Sequence, residues 1–218
     1  MIRPGATWGV PASGAAALEG RGSDVELAKL ARTHPGGLVR FVPTARCDLA
    51  RAIGLTAQSP ASWEVPIDAI DLGDRLAVNM VVLGTRPDRV RRWTRSLPLT
   101  VHVDGRLVFD GRATSVLVAN GQYLAGRDVV PRGHPGDGRL EVQVYALRAG
   151  ERAPMRRRLP TGTHVPHPAI TSVTGRRSRI RVAEAARRPV RAEVDGMGVP
   201  ARGLWEAEVV PGAIRLRV

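Results

Sequence analysis

The chain has 218 residues, enough to bury a sizeable core as one large domain or two small ones, and its 43% hydrophobic content excludes a disordered polymer. Of 33 basic residues 32 are Arg, and the formal net charge of +13 favours an anionic partner (nucleotide phosphate, nucleic acid or an acidic membrane surface) unless it only reflects a coding preference for Arg over Lys. The single Cys47 excludes an intramolecular disulfide framework, and no window approaches the roughly 18 apolar residues of a membrane span.

The opening stretch, MIRPGATWGVPASG, lacks the apolar core of a secretion signal, so the chain reads as cytoplasmic. Ala15 to Leu18 predicts a short buried strand, followed by Glu19-Gly20-Arg21-Gly22-Ser23 as a glycine-containing loop. Val25, Leu27, Ala28, Leu30 and Ala31 then recur at helical spacing over Asp24 to Arg32, with Ser23 or Asp24 as the N-cap. A strand running through glycines into a helix can hold phosphate at unpaired helix N–H groups, although a plain strand-to-helix turn is the commoner use. Leu38 to Val42 predicts a second strand, Pro43 to Asp48 a loop, and Leu49 to Ile53 a short helix stopped by Gly54. Thr56 to Pro66 reads as a linker into Ile67-Asp-Ala-Ile-Asp-Leu72.

Beyond it the pattern becomes strand-rich. Leu76 to Leu83 predicts a strand ended by Gly84, and Arg86, Arg89, Arg91, Arg92 and Arg95 cluster behind it, as a solvated face or as a contact for lipid phosphates. Two alternating runs around Asp104-Gly105 signal a hairpin. Val116 to Val118 and the alternating Leu140 to Leu147 predict two more strands, and the five glycines and two prolines from Gly121 to Arg139 exclude a helix between them. The Gly136-Asp137-Gly138 turn offers one carboxylate and freed carbonyls to a hard cation, or is simply a turn. His164 and His167 have no carboxylate or thiol at ligand spacing. Strands at Arg179 to Val182, Val190 to Val194, Trp205 to Val209 and Ile214 to Val218 close the chain, with Asp195-Gly196 as a turn.

Taken in order, these features resemble the diacylglycerol kinase and bacterial lipid kinase family, within the NAD kinase-like superfamily. Glu19-Gly20-Arg21-Gly22-Ser23 resembles the family's Gly-Gly-Asp-Gly-Thr loop, with Glu26 at the place of a helical Glu. Thr44-Ala45-Arg46-Cys47-Asp48 resembles its Gly-Thr-Gly-Asn-Asp loop. Asn79 matches a Phe-Val-Asn strand, and Asp195-Gly196-Met197 resembles the late Asp-Gly-Glu turn. The resemblance implies an α+β fold: a reduced α/β Rossmann-like nucleotide-domain remnant over 1–66 and an antiparallel β-sandwich-like second domain over 67–218, the chain returning to the first near its C-terminus. It further implies ATP contacts at Gly20, Arg21, Gly22, Ser23, Glu26, Thr44 and Asp48, a structural Mg2+ at Asp137, and Asp195 as general base toward a lipid hydroxyl. Departures are explicit: Arg21 replaces an acid, the second loop has lost both glycines and its Asn, Met197 replaces a Glu, and the front end is short.

Two functions follow. One is an ATP- and Mg2+-dependent lipid kinase acting on a lipid substrate, with an anionic membrane surface at the inner membrane face and a homo-oligomer as further candidate partners. The other is a catalytically silent relative that binds lipid, nucleotide or protein. Nucleic-acid binding rests on charge alone, since four Trp, two Tyr and two Phe form no aromatic-interleaved basic motif.

Overall fold

The computed structural model describes residues 8–15, 17–183, 190–200 and 202–218. In chain order the elements are β1 (Val10–Pro11), β2 (Leu18–Gly22), α1 (Asp24–Thr33), β3 (Leu38–Pro43), α2 (Asp48–Ile53), β4 (Trp63–Asp71), β5 (Leu76–Ala77) and β6 (Met80–Gly84). There follow β7 (Leu97–Val103), β8 (Arg106–Ala113), β9 (Ser115–Ala119), β10 (Tyr123–Leu124), β11 (Arg127–Asp128), β12 (Leu140–Tyr145) and α3 (Arg152–Arg158). The last are β13 (Ile170–Gly175), β14 (Arg177–Val182), β15 (Ala192–Val194), β16 (Met197–Val199) and β17 (Leu204–Arg217).

Two sheets form the body of the protein. One is wholly antiparallel, in the order β13-β12-β9-β6-β15-β16. The other runs β1-β4-β17-β14-β7-β8 and is antiparallel along that path, while β3 joins β17, and β2 joins β3, in parallel. Alternation decides which residues meet between the sheets. Val81, Leu83, Val116, Val118, Val142 and Val144 of the first face Leu99, Val101, Ile180, Trp205, Ala207 and Val209 of the second, all buried. The first sheet's other face is covered too: Met80, Leu117 and Tyr145 lie under Leu124, Val129 and Val130 of the glycine-rich bend and Met155 and Leu159 from the α3 region. Burial on both faces explains why Val116 to Val118 reads as a continuous apolar run.

The front end is not a separate sheet. β17 is one strand of 14 residues whose first half pairs with β14 and whose last residues pair with β3, so it belongs to both cores. β4 pairs with β17 on either side of a register shift between Val210 and Ile214, and runs across the 66/67 position expected as a domain boundary. Asp68 fixes that irregularity. Its buried carboxylate accepts the Gly212 N–H through Oδ1 at 2.8 Å and the Gly138 N–H through Oδ2 at 2.7 Å, tying the β17 bulge to the Gly136-Asp137-Gly138 turn. The front core then packs Leu27, Ala28 and Ala31 of α1 and Leu49 of α2 against Val39, Phe41, Ile67 and Leu216.

Several local expectations change: the single strand expected over Leu76 to Leu83 is broken at Val78-Asn79 into β5 and β6, and the linker expected over Thr56 to Pro66 already contains the start of β4. The strand expected at Ala15 to Leu18 includes residue 16, outside the described residues, and β2 runs over Leu18–Gly22 instead. Gly20, Arg21 and Gly22 are therefore strand residues, paired with Phe41, Val42 and Pro43, and do not form an open loop. A Cβ on Gly20 would stand 2.6 Å from Leu30 Cδ1, so this glycine serves the close approach of α1 to β2.

Candidate functional site

α1, α2, the β10–β11 hairpin and the β15–β16 turn surround a cleft of about 680 Å³. Ser23, Asp24, Glu26 and Lys29 line it from α1 and its cap, Arg46, Asp48 and Arg51 from the start of α2, and Asn79, Met80, Asp195 and Met197 from the sandwich.

Asp195 is placed by its own turn. It adopts φ 49°, a left-handed conformation that Asp tolerates better than most residues, between β15 and β16. The half-buried side chain folds back onto the entry of β6. Oδ1 accepts the N–H groups of Asn79 (3.0 Å) and Met80 (2.9 Å), and Oδ2 accepts that of Val78 (2.9 Å). The Asp195 N–H in turn donates to the Met80 carbonyl at 2.9 Å. Burial pushes the Asp195 pKa up to about 6 against the pull of those three N–H groups. A carboxyl titrating near neutrality, with acceptor capacity left on Oδ2, suits proton abstraction.

Asp24 is the residue that sequence reasoning passed over, noting it only as a possible cap. It is buried, and it caps α2 rather than its own helix. Oδ1 accepts the Leu49 N–H and the Cys47 Sγ–H, both at 3.0 Å, and Oδ2 accepts the Asp48 N–H at 3.1 Å. Burial first, then the charge of Asp195, push its pKa up to about 7. Burial and the same carboxylate push the Cys47 thiol up, so Cys47 stays protonated and inert. The signal available in sequence was an acid opening a helix immediately after Gly-Ser, but its partners lie on a different helix.

The other predicted residues divide. Glu26 turns back onto its own cap: Oε2 accepts the Ser23 N–H at 2.8 Å and the Ser23 hydroxyl at 2.6 Å, which holds the Glu26 pKa below the usual carboxylate range. Gly22, at φ +147°, leaves room for that return, since a Cβ there would stand 2.7 Å from Glu26 Cβ and Cγ. Thr44 donates its N–H (2.7 Å) and hydroxyl (3.1 Å) to the Gly22 carbonyl, locking the two front segments side by side. Asp48 reaches across the cleft, where Oδ2 accepts the Ala125 N–H at 2.5 Å and Oδ1 the Gly126 N–H at 2.8 Å. Successive positive φ values at Ala125 and Gly126 point both amides the same way and make that grip possible. Ser23, Glu26, Asp48 and Asp195 thus share the cleft, whereas Gly20 faces the α1 core and Arg21 is exposed outside the lining.

The cleft's positive charge comes from Lys29, Arg46 and Arg51, with the Arg51 guanidinium 5.9 Å from the centre of the Tyr123 ring. These three side chains suit nucleotide phosphates. The donor set for Mg2+ is poorer. Both oxygens of Asp48 are occupied, and Asp137 is exposed, accepts the Arg139 N–H at 3.0 Å and borders a hollow with Arg132 and Arg139. Among the described residues no three His, Cys, Asp or Glu side chains converge as ligands. Asp137 brings a single exposed carboxylate to its turn, and no step below passes through a metal there.

The YegS C-terminal NAD kinase beta sandwich-like domain matches residues 85–218, more than half of the chain. The chain belongs to this family. Among solved structures it is similar to a diacylglycerol kinase from Bacillus anthracis, with a TM-score of 0.73 and 16% identity over 91% of this chain and 75% of that one. It is also similar to an NAD kinase from Archaeoglobus fulgidus in complex with ATP, with a TM-score of 0.52 and 14% identity over 92% of this chain and 76% of that one. At such identities the likeness establishes a shared fold. Among curated proteins none matches the sequence. The chain therefore has an α+β, NAD kinase-like fold, and no described helix is long and apolar enough to cross a membrane.

Proposed function

We propose that the protein transfers a phosphoryl group from ATP to a lipid hydroxyl, with Asp195 accepting the hydroxyl proton. The observation that carries the reading is the Asp195 carboxylate, fixed by three backbone N–H groups in the lining of the cleft, with its pKa pushed up to about 6. In the step, the lipid O–H bond breaks as its oxygen bonds to the γ-phosphorus, the proton passes to Asp195 Oδ2, and ADP leaves. Lys29, Arg46 and Arg51 face the phosphates, and the exposed Met197 gives the cleft rim apolar surface for an acyl-bearing substrate. Mg2+ carried in with ATP would neutralise phosphate charge. The neighbours described as a diacylglycerol kinase and as an ATP-bound NAD kinase support the class of donor and reaction.

Purified protein incubated with labelled ATP, Mg2+ and mixed lipids should yield labelled phospholipid, and Asp195→Asn should abolish it. No product, together with no ATP-induced rise in Tm, would overturn the reading.

A second reading has its own observation. Glu26 occupies the start of α1 and Asp48 is committed to the Ala125–Gly126 amides, so the two front segments are closed by internal contacts. That favours a silent relative that binds lipid, nucleotide or protein, and its lipid- or protein-binding form survives if ATP leaves Tm unchanged.

A further inference from the structure

Trp93 is the most exposed large apolar side chain of the described residues, at 83%. Its position is built. Thr94 returns an N–H to the Arg91 carbonyl at 3.0 Å and its hydroxyl accepts the Arg91 N–H at 2.7 Å, which closes a turn with Trp93 at its apex. Arg152, the first residue of α3, anchors that turn from below. It is buried, and its guanidinium donates to the carbonyls of Arg92 (2.8 Å), Thr94 (2.7 Å), Arg91 (3.3 Å) and Leu147 (3.2 Å) and to the Ser96 hydroxyl (3.3 Å).

This staple ties the arginine-rich turn to the start of α3, an arginine-rich helix. Arg89, Arg91, Arg92 and Arg95 are exposed on the first, Arg157 and Arg158 on the second, and neither 89–96 nor 152–158 contains an acid. None of these six has a carboxylate partner among the described ion pairs. Arg86, by contrast, turns inward to Asp88 (3.0 Å) and Glu193 (3.6 Å), so the expected cluster of five presents four at the surface. The patch is also tied to the cleft wall, because Asp88 pairs with Arg127 of the β10–β11 hairpin that Asp48 holds.

We propose that Trp93 and these exposed arginines form a docking face for an anionic lipid bilayer, the indole entering the headgroup layer while the guanidinium groups meet lipid phosphates. An indole at the apex of an otherwise cationic surface suits a membrane–water interface, where an apolar ring and a polar N–H are both satisfied. Each arginine near an anionic surface adds attraction that falls off within a Debye length. A single-strand nucleic-acid groove calls for successive aromatics along a cationic track, and here the two segments carry one aromatic between them. The inference gives the lipid-kinase reading its route to substrate and holds equally for a silent relative.

The test is co-sedimentation with vesicles of phosphatidylcholine alone or with about 30% phosphatidylglycerol, without ATP, so that failure of phosphoryl transfer leaves the readout intact. The protein should bind only the anionic vesicles and lose binding as salt rises toward about 0.5 M. Trp93→Ala, a surface change that leaves Tm intact, should weaken binding about tenfold, and Arg91→Glu with Arg92→Glu by more than about twentyfold. Arg106→Glu, at the far end of the β7–β8 hairpin, should change it less than twofold. The proposal is overturned by absence of vesicle binding, by an equal loss in Arg106→Glu, or by duplex DNA binding that shows the same dependence on Trp93.

Discussion

Asp24 and Asp195 lie on one cleft, and the charge of Asp195 raises the proton affinity of Asp24 beyond what burial alone does. Each carboxylate also has a structural duty, Asp24 at the start of α2 and Asp195 at the entry of β6. The two therefore link stability, protonation and any chemistry in the cleft.

That linkage has a sign. Asp24 and Asp195 both have folded-state pKa values, about 7 and about 6, above the unfolded value of 3.8. Their contribution to stability is fully present below about pH 4 and is lost as pH rises through 6 to 7. Denaturant midpoints measured from pH 4 to 8 should show this decline, superimposed on other titrations. Asp24→Asn should flatten the slope between pH 5 and 7, while Asp195→Asn should shift its midpoint to lower pH by removing the charge beside Asp24. An unchanged slope in both variants would show that the pair is not coupled.

Asp195 also separates chemistry from folding. Alanine there leaves the Val78, Asn79 and Met80 N–H groups without their acceptor and places a left-handed φ on a residue that resists it, so Asp195→Ala should cost about 3 kcal/mol. Asparagine tolerates the conformation and can still accept two of the three N–H groups, so Asp195→Asn should cost about 1–2 kcal/mol while removing the base. Urea denaturation of both variants checks the order. Activity surviving in Asp195→Asn would remove Asp195 from the proposed reaction.

Asp48 bridges elements that are remote in sequence, and its loss should be felt at the far end. Asp48→Ala frees the Ala125 and Gly126 amides, and their hydrogen exchange should accelerate about tenfold or more, corresponding to roughly 1.5 kcal/mol of lost local protection. If the cleft takes no nucleotide, freeing this turn leaves ATP without effect on Tm. If the kinase reading holds, it changes the KM for ATP.

Local chemistry made parts of this fold legible. Asp104-Gly105 carried its own turn signal and the structure forms β7 and β8 around it, just as Asp195-Gly196 joins β15 to β16. What Asp195 does was not legible from the turn, because Val78 to Met80 come to it only through β15 pairing with β6. Gly20 and Gly22 misled for a related reason. Glycine reads as loop punctuation, yet here one admits Leu30 and the other Glu26, contacts that exist only once α1 folds back along β2. Arg152 reads as one more cation in a basic run, and no local pattern marks it as buried.

Arg152 yields the last prediction. Its charge meets carbonyl dipoles and a hydroxyl rather than a carboxylate, so the interaction depends on the planar guanidinium spreading its donors over five acceptors. Arg152→Ala strands those acceptors beside a cavity and should destabilise the protein by about 3 kcal/mol, lowering Tm by roughly 6–12 °C. Arg152→Lys keeps the charge but offers a single ammonium, and should recover less than half of that loss. Both variants should speed amide exchange over residues 91–96 and weaken vesicle binding even at temperatures where the fold persists. Were Arg152→Lys to match the parent protein in Tm and exchange, the anchor would be a matter of charge alone, and the turn carrying Trp93 would owe its shape to Thr94 instead.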